Sequence, residues 1–87
     1  MFNNKSILIT GGTGSFGKNF TKLLLKKYKP KKIIIYSRDE MKQWNLSLEL
    51  KNNPLLKFII GDVRDKESLI RASVDVDYLV HAAATKI

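Results

Sequence analysis

With 87 residues, 44% of them hydrophobic and 28% charged, and a formal charge of +8, the chain has the make-up of one small globular domain below the usual ~100–150-residue mode, and neither disorder nor a second lobe fits it. Cysteine is absent, which removes disulfides, thiolate metal sites and a cysteine nucleophile and suits a reducing compartment. No apolar stretch is long enough to cross a bilayer, and Met1-Phe2-Asn3-Asn4-Lys5 lacks the apolar region and cleavage site of a signal peptide, so a cytoplasmic chain with no membrane partner is expected.

Ser6 to Thr10, around Ile7-Leu8-Ile9, is short, apolar and β-branched, and predicts a first strand. It runs into Thr10-Gly11-Gly12-Thr13-Gly14-Ser15-Phe16-Gly17 and then into a helical pattern from Phe16 to Tyr28. Phe16, Phe20, Leu23, Leu24 and Tyr28 are expected on the buried face of that helix, with Lys18, Lys22 and Lys26 opposite. Pro30 should end it. Ile33-Ile34-Ile35-Tyr36 reads as a strand buried on both faces, the kind found in parallel sheets. A second helix is expected from Glu40 to about Lys51, capped by Asp39, with Met41, Trp44 and Leu48 buried and Asn52-Asn53-Pro54 stopping it. Leu56 to Ile60 predicts a third strand, Gly61-Asp62-Val63-Arg64 a turn, Lys66 to Ala72 a short helix capped by Asp65, and Asp77 to His81 a fourth strand.

Strands and helices that alternate in this way, joined by right-handed crossovers, imply an α/β, Rossmann-like parallel sheet of order 3-2-1-4, truncated after the fourth strand. Residues 1–87 then form the N-terminal half of an NAD(P)-binding domain, with the substrate lobe absent. The exposed edge of the fourth strand is expected to pair with another chain.

A glycine-rich turn between strand and helix makes an anion site out of backbone. Gly11 permits the tight turn, Gly14 lets a pyrophosphate approach the main chain, Gly17 is expected to allow close helix–strand packing, and the N–H groups of the first helical turn face the phosphates. At the end of the second strand, Arg38 can fork onto a ribose phosphate, Ser37 can donate its hydroxyl and Lys42 adds a second cation, so NADP is preferred over NAD. Asp39 either takes the ribose or caps the helix. Asp62 either accepts the adenine amino group, with Val63 against the ring, or organises the turn. The small residues Ala82-Ala83-Ala84 leave room for a cofactor, and Lys86 would project into the same crevice.

Other chemistry finds little support. Tyr28 and Lys32 have the tyrosine-to-lysine spacing of short-chain dehydrogenases, but Pro30 breaks the helix that such a pair needs. His81, the only histidine, is read as structural, and no metal-ligand cluster exists. The lysines lack an interleaved aromatic platform, so they are read as a solvated face that adds a weak field for anionic nucleotides, with no nucleic-acid partner.

On Ile7 to Gly17, Lys32 to Glu40, Gly61 to Asp65 and His81-Ala82-Ala83-Ala84, the chain resembles the N-terminal part of an extended short-chain dehydrogenase/reductase. More narrowly, it resembles the inverting UDP-N-acetylglucosamine 4,6-dehydratases of polysaccharide biosynthesis and flagellin glycosylation. The resemblance implies that Gly11, Thr13, Gly14, Ser15, Phe16 and Gly17 hold the pyrophosphate. It assigns Ser37, Arg38, Asp39, Glu40, Met41 and Lys42 to the adenosine ribose and its phosphate, and Asp62 and Val63 to the adenine. Ala82 and Lys86 would approach the nicotinamide half, with Lys86 also near the UDP-sugar substrate. It further implies a homo-oligomer, and a lyase in which NADP takes hydride from C4 of the sugar and returns it at C6 after water has left across C5 and C6. The family's Asp-Lys pair and Tyr-x-x-x-Lys motif have no counterpart among these residues. No catalytic residue is therefore assigned, and the isolated chain is expected to be inactive. Against this stand a noncatalytic NADP-binding or protein-interaction module and a different nucleotide-sugar epimerase or dehydratase.

Overall fold

The computed structural model describes residues 1–82. In chain order these form β1 (Ser6–Thr10), α1 (Ser15–Lys27), β2 (Lys32–Ser37), α2 (Glu40–Glu49), β3 (Leu56–Ile60), α3 (Lys66–Ala72) and β4 (Tyr78–His81). All pairings are parallel, in the order β3-β2-β1-β4. Register follows the apolar runs: Ile7 to Ile9 lie opposite Ile33 to Ile35 on one side and Tyr78 to Val80 on the other.

The two central strands are sealed on both faces. Ile7, Ile9, Ile33 and Ile35 meet Leu24 of α1 and Leu46 of α2, while Leu8, Ile34 and Tyr36 meet Ala72 of α3. The first two helices thus cover one face and the third the other. Each fully buried aliphatic side chain contributes about 1.5–3 kcal/mol by leaving water, so the core centres on β1 and β2. The outer strands mix half-buried and exposed positions, in strict alternation only along β4. Among the described residues β4 pairs only with β1, which leaves it at the sheet edge. Phe2 closes the bottom of the β1–α1 layer with edge-on contacts to Phe20, Tyr28 and Tyr78.

Several local expectations are corrected. In α1 the deeply buried positions are Gly17, Thr21 and Leu24, with Phe16 and Leu23 exposed. The Thr21 hydroxyl donates to the Gly17 carbonyl at 2.8 Å, so a polar residue sits comfortably against the sheet. The chain leaves the helix at Tyr28, whose extended φ of −129° precedes Pro30 by two residues, and Lys32 lies in β2, so these two do not share a helix.

In α2 the correction is larger. Met41 and Trp44 are 67% and 61% exposed and Leu48 also faces outward, while Gln43 and Leu46 are buried. The Gln43 amide donates at 2.9 Å to both Ser37 Oγ and the Ile59 carbonyl, which fixes the helix face opposite to the one that hydrophobicity suggests. The helix ends at Glu49, and left-handed Lys51 and Asn52 (φ 57° and 52°) turn the chain before Pro54. Lys18 and Lys22 are not merely solvated. Both pair with Glu49 of α2, Lys18 at 3.5 Å, and hydrogen bonding from Lys22 lowers the Glu49 pKa. Asp77 lies just outside β4, where its carboxylate accepts from Ser6 N at 2.8 Å.

Candidate functional site

The carboxyl ends of the strands open onto a cleft of about 1440 Å³. One wall is backbone. Gly11 has φ 65°, a left-handed conformation natural to glycine, and Gly14 N donates to its carbonyl at 3.0 Å, closing the turn. Gly14 is the N-cap of α1, with neither a capping side chain nor an acidic residue in the first turn. A Cβ on Gly14 would meet only the Gly11 carbonyl, at 3.4 Å. The helix therefore begins with a bare N-terminus, whose unpaired donors and dipole favour an anion.

Gly17 works differently from the expectation. A Cβ there would lie 2.5 Å from Gly12 Cα and 2.7 Å from Gly11 O, so this glycine packs the helix against its own loop. Strand packing falls to Gly12, whose Cβ would lie 2.8 Å from the Ile35 side chain of β2.

The other wall is made of side chains. Asp39 caps α2: its Oδ1 accepts from Lys42 N at 3.0 Å. Asp62 organises its turn: Oδ1 accepts from Arg64 N at 2.9 Å and from Arg64 Nε at 3.2 Å, while Oδ2 accepts from Arg64 Nη2 at 2.8 Å. Arg38 stands 3.7 Å from the same Oδ2, a loose ion pair. Hydrogen bonds from the Arg64 side chain, then its backbone, hold the Asp62 carboxyl down at about 2 against an ordinary 3.8. For both aspartates the capping or turn-forming role is thus visible in the hydrogen bonds.

Of the residues expected at the site, Gly11 and Thr13 to Phe16, Ser37 to Lys42, Asp62, Val63 and Ala82 all line this cleft. Gly17 is buried behind the loop, and Lys86 lies outside the described residues. Phe16, Met41 and Val63 are exposed apolar groups around the opening, suited to a flat ring. Sequence reasoning missed Tyr36, Gly61 and Arg64 as lining residues. The fully buried Tyr36 has its hydroxyl 3.0 Å from both the Asp62 carbonyl, to which it donates, and Ser68 Oγ. A Cβ on Gly61 would strike the Tyr36 ring at 2.4 Å. The available signal was a strand-ending tyrosine paired with a Gly-Asp turn, and it is weak without the fold. His81 also lines the cleft, with Nδ1 2.8 Å from Thr10 Oγ1 in a clasp between β4 and β1.

A bare helix N-terminus beside the β1/β4 switch point of a 3-2-1-4 parallel sheet defines a Rossmann-type α/β unit. Within that class the chain belongs to the family described as polysaccharide biosynthesis protein, whose sequence model matches residues 7–87. It is 63% identical over 86 residues to the UDP-N-acetylglucosamine 4,6-dehydratase (inverting) of Campylobacter jejuni, covering 99% of this chain and 25% of that one. It thus spans about a quarter of that curated relative's length. Among solved structures, Pen from Bacillus thuringiensis superposes with a TM-score of 0.91 at 36% identity, over 100% of this chain and 27% of that one. The dTDP-glucose 4,6-dehydratase of Bacillus anthracis, in complex with NAD, superposes with a TM-score of 0.75 at 29% identity, over 93% and 27%. Among the described residues no helix is long and apolar enough to cross a membrane.

Proposed function

We propose that this chain is the nicotinamide-dinucleotide-binding part of an inverting UDP-N-acetylglucosamine 4,6-dehydratase, and that its cofactor is NADP. The observation that carries the cofactor reading is the pairing of the uncapped α1 N-terminus with Arg38 and Lys42 across one cleft. On this reading the N–H groups at Thr13, Ser15 and Phe16 take the pyrophosphate, with Gly14 leaving room for it, and Ser37, Arg38 and Lys42 hold the 2′-phosphate. Met41 and Val63 flank the adenine, and Ala82 leaves space toward the nicotinamide, where Lys86 would follow. Gly17 contributes by holding the helix to the loop. The bound dinucleotide would supply the hydride acceptor and donor, while this chain's own residues bind and orient it. That the whole protein acts on a UDP-sugar is supported by the 63% identity, and that it does so as a cytoplasmic homo-oligomer is part of the same proposal.

Titration of the chain with NADPH and NADH by calorimetry tests the cofactor reading. Saturable binding with NADPH the tighter ligand is expected, and the absence of saturable binding would sink it. For the parent reaction, the full-length protein should convert UDP-N-acetylglucosamine to a 4-keto-6-deoxy product inverted at C5. A 4-epimer without loss of water would instead place the parent among the epimerases.

A further inference from the structure

Arg64 belongs to no expected contact, yet it makes the densest set of bonds in the cleft. Its backbone N, Nε and Nη2 occupy both oxygens of Asp62. That carboxylate is also within reach of Arg38, whose Nη1 stands 3.7 Å away, beyond hydrogen-bond distance. A carboxylate offers about four acceptor positions, so a guanidinium that saturates it leaves little for a second one.

Asp62 cannot retreat from Arg38 by moving its backbone. Its carbonyl accepts from the Tyr36 hydroxyl at 3.0 Å and from Asp65 N at 2.9 Å, and the preceding Gly61 N donates to the Ser37 carbonyl at 2.9 Å. Gly61 is itself pressed on the Tyr36 ring. Only rotation of the Asp62 side chain remains free, and Arg64 sets it. The carboxylate stays ionised at any working pH, since its pKa is about 2.

We propose that Arg64 is a positioning residue for cofactor choice: by engaging both oxygens of Asp62 it prevents that carboxylate from capturing Arg38, which stays free to fork onto a 2′-phosphate. Without Arg64, Asp62 would pair with Arg38 as a full partner, and a 2′-phosphate would have to break that pair and leave Asp62 an unneutralised anion nearby. Because NADH lacks that phosphate, it is indifferent to the exchange. The inference rests on the NADP reading above.

Calorimetric titration of four proteins with NADPH and NADH tests it, each first checked for native circular dichroism. Wild type is expected to prefer NADPH. Arg64→Gln should weaken NADPH about tenfold, the worth of a charged hydrogen bond, and leave NADH within about twofold. Adding Asp62→Asn to that variant removes the competing anion and should restore most of the NADPH affinity. Arg64→Lys keeps the charge but loses the fork, and should still weaken NADPH severalfold. Equal loss of both nucleotides, no restoration by Asp62→Asn, or wild-type behaviour of Arg64→Lys would each overturn the role of Arg64. If wild type fails to prefer NADPH, the NADP reading itself fails. A crystal structure of Arg64→Gln supplies a readout independent of nucleotide, because Arg38 should then close on Asp62 to hydrogen-bond distance.

Discussion

The three helices among the described residues each begin soon after a strand has ended, yet they begin in two ways. In α2 and α3 an aspartate caps the first turn, Asp39 accepting from Lys42 N at 3.0 Å and Asp65 from Ser68 N at 3.2 Å, with Glu40 and Glu67 adding acidic charge. In α1 the cap is Gly14, without a side-chain bond and without an acidic residue in the first turn. A capped terminus satisfies its donors internally. An uncapped one offers them outward, at a cost to helix stability that a ligand's phosphate can offset. The difference separates a helix start that completes the fold from one reserved for binding.

The most severe way to break this contrast is Gly17→Ala. Its methyl would meet loop backbone at 2.5 Å, where no flexible side chain can give way, so unfolding in urea should show a loss of roughly 2–3 kcal/mol together with loss of nucleotide binding. An unchanged midpoint would mean that the loop adjusts freely. Gly14→Asp sharpens the contrast by turning α1 into a helix like the other two. Gly14 already has an extended backbone (φ −74°, ψ 174°) and room for a Cβ. The variant should therefore gain about 0.5–1 kcal/mol in stability while NADPH binding falls at least about tenfold. If stability and binding fell together, the bare terminus would not be reserved for a ligand.

Smaller losses are expected from removing the existing caps. Asp39→Ala and Asp65→Ala should each cost about 1 kcal/mol in thermal or urea unfolding, and only Asp39→Ala, beside the proposed phosphate site, should also alter nucleotide affinity. The smallest effect is acid-dependent. The folded Asp62 carboxyl lies at about 2, below its ordinary 3.8. Its contribution is therefore complete above pH 4 and is lost as pH falls from about 4 toward 2. NMR titration of the Asp62 carboxyl should give a midpoint near 2 in wild type and a higher one when Arg64→Gln is combined with Arg38→Gln, which removes the guanidinium that would otherwise take the place of Arg64. The same midpoint in both would remove the two guanidinium groups as the cause.

Much of this was legible in the chain because it rests on local rules. Ile7 to Ile9 and Ile33 to Ile35 are apolar at consecutive positions, as strands sealed on both faces must be. The residues at Asp39 and Asp65 are capping types immediately before helical patterns. The inner face of α2 was illegible because a polar residue, Gln43, holds it through bonds to Ser37 and Ile59, and no hydrophobic period reports such a bond. Thr21 in α1 hid for the same reason.

The sequence by itself determined the order of elements, the parallel sheet and a glycine-rich turn leading into a first helical turn with free N–H groups, since each follows from patterns within a few residues. Tertiary structure alone decided which groups are already engaged: Lys18 and Lys22 with Glu49 between α1 and α2, and, at the cleft, Tyr36 beneath Asp62 and Arg64 rather than Arg38 on the Asp62 carboxylate. Most of these contacts join residues far apart in the chain. Even the Asp62–Arg64 pair gains its meaning only when β2 brings Arg38 alongside it.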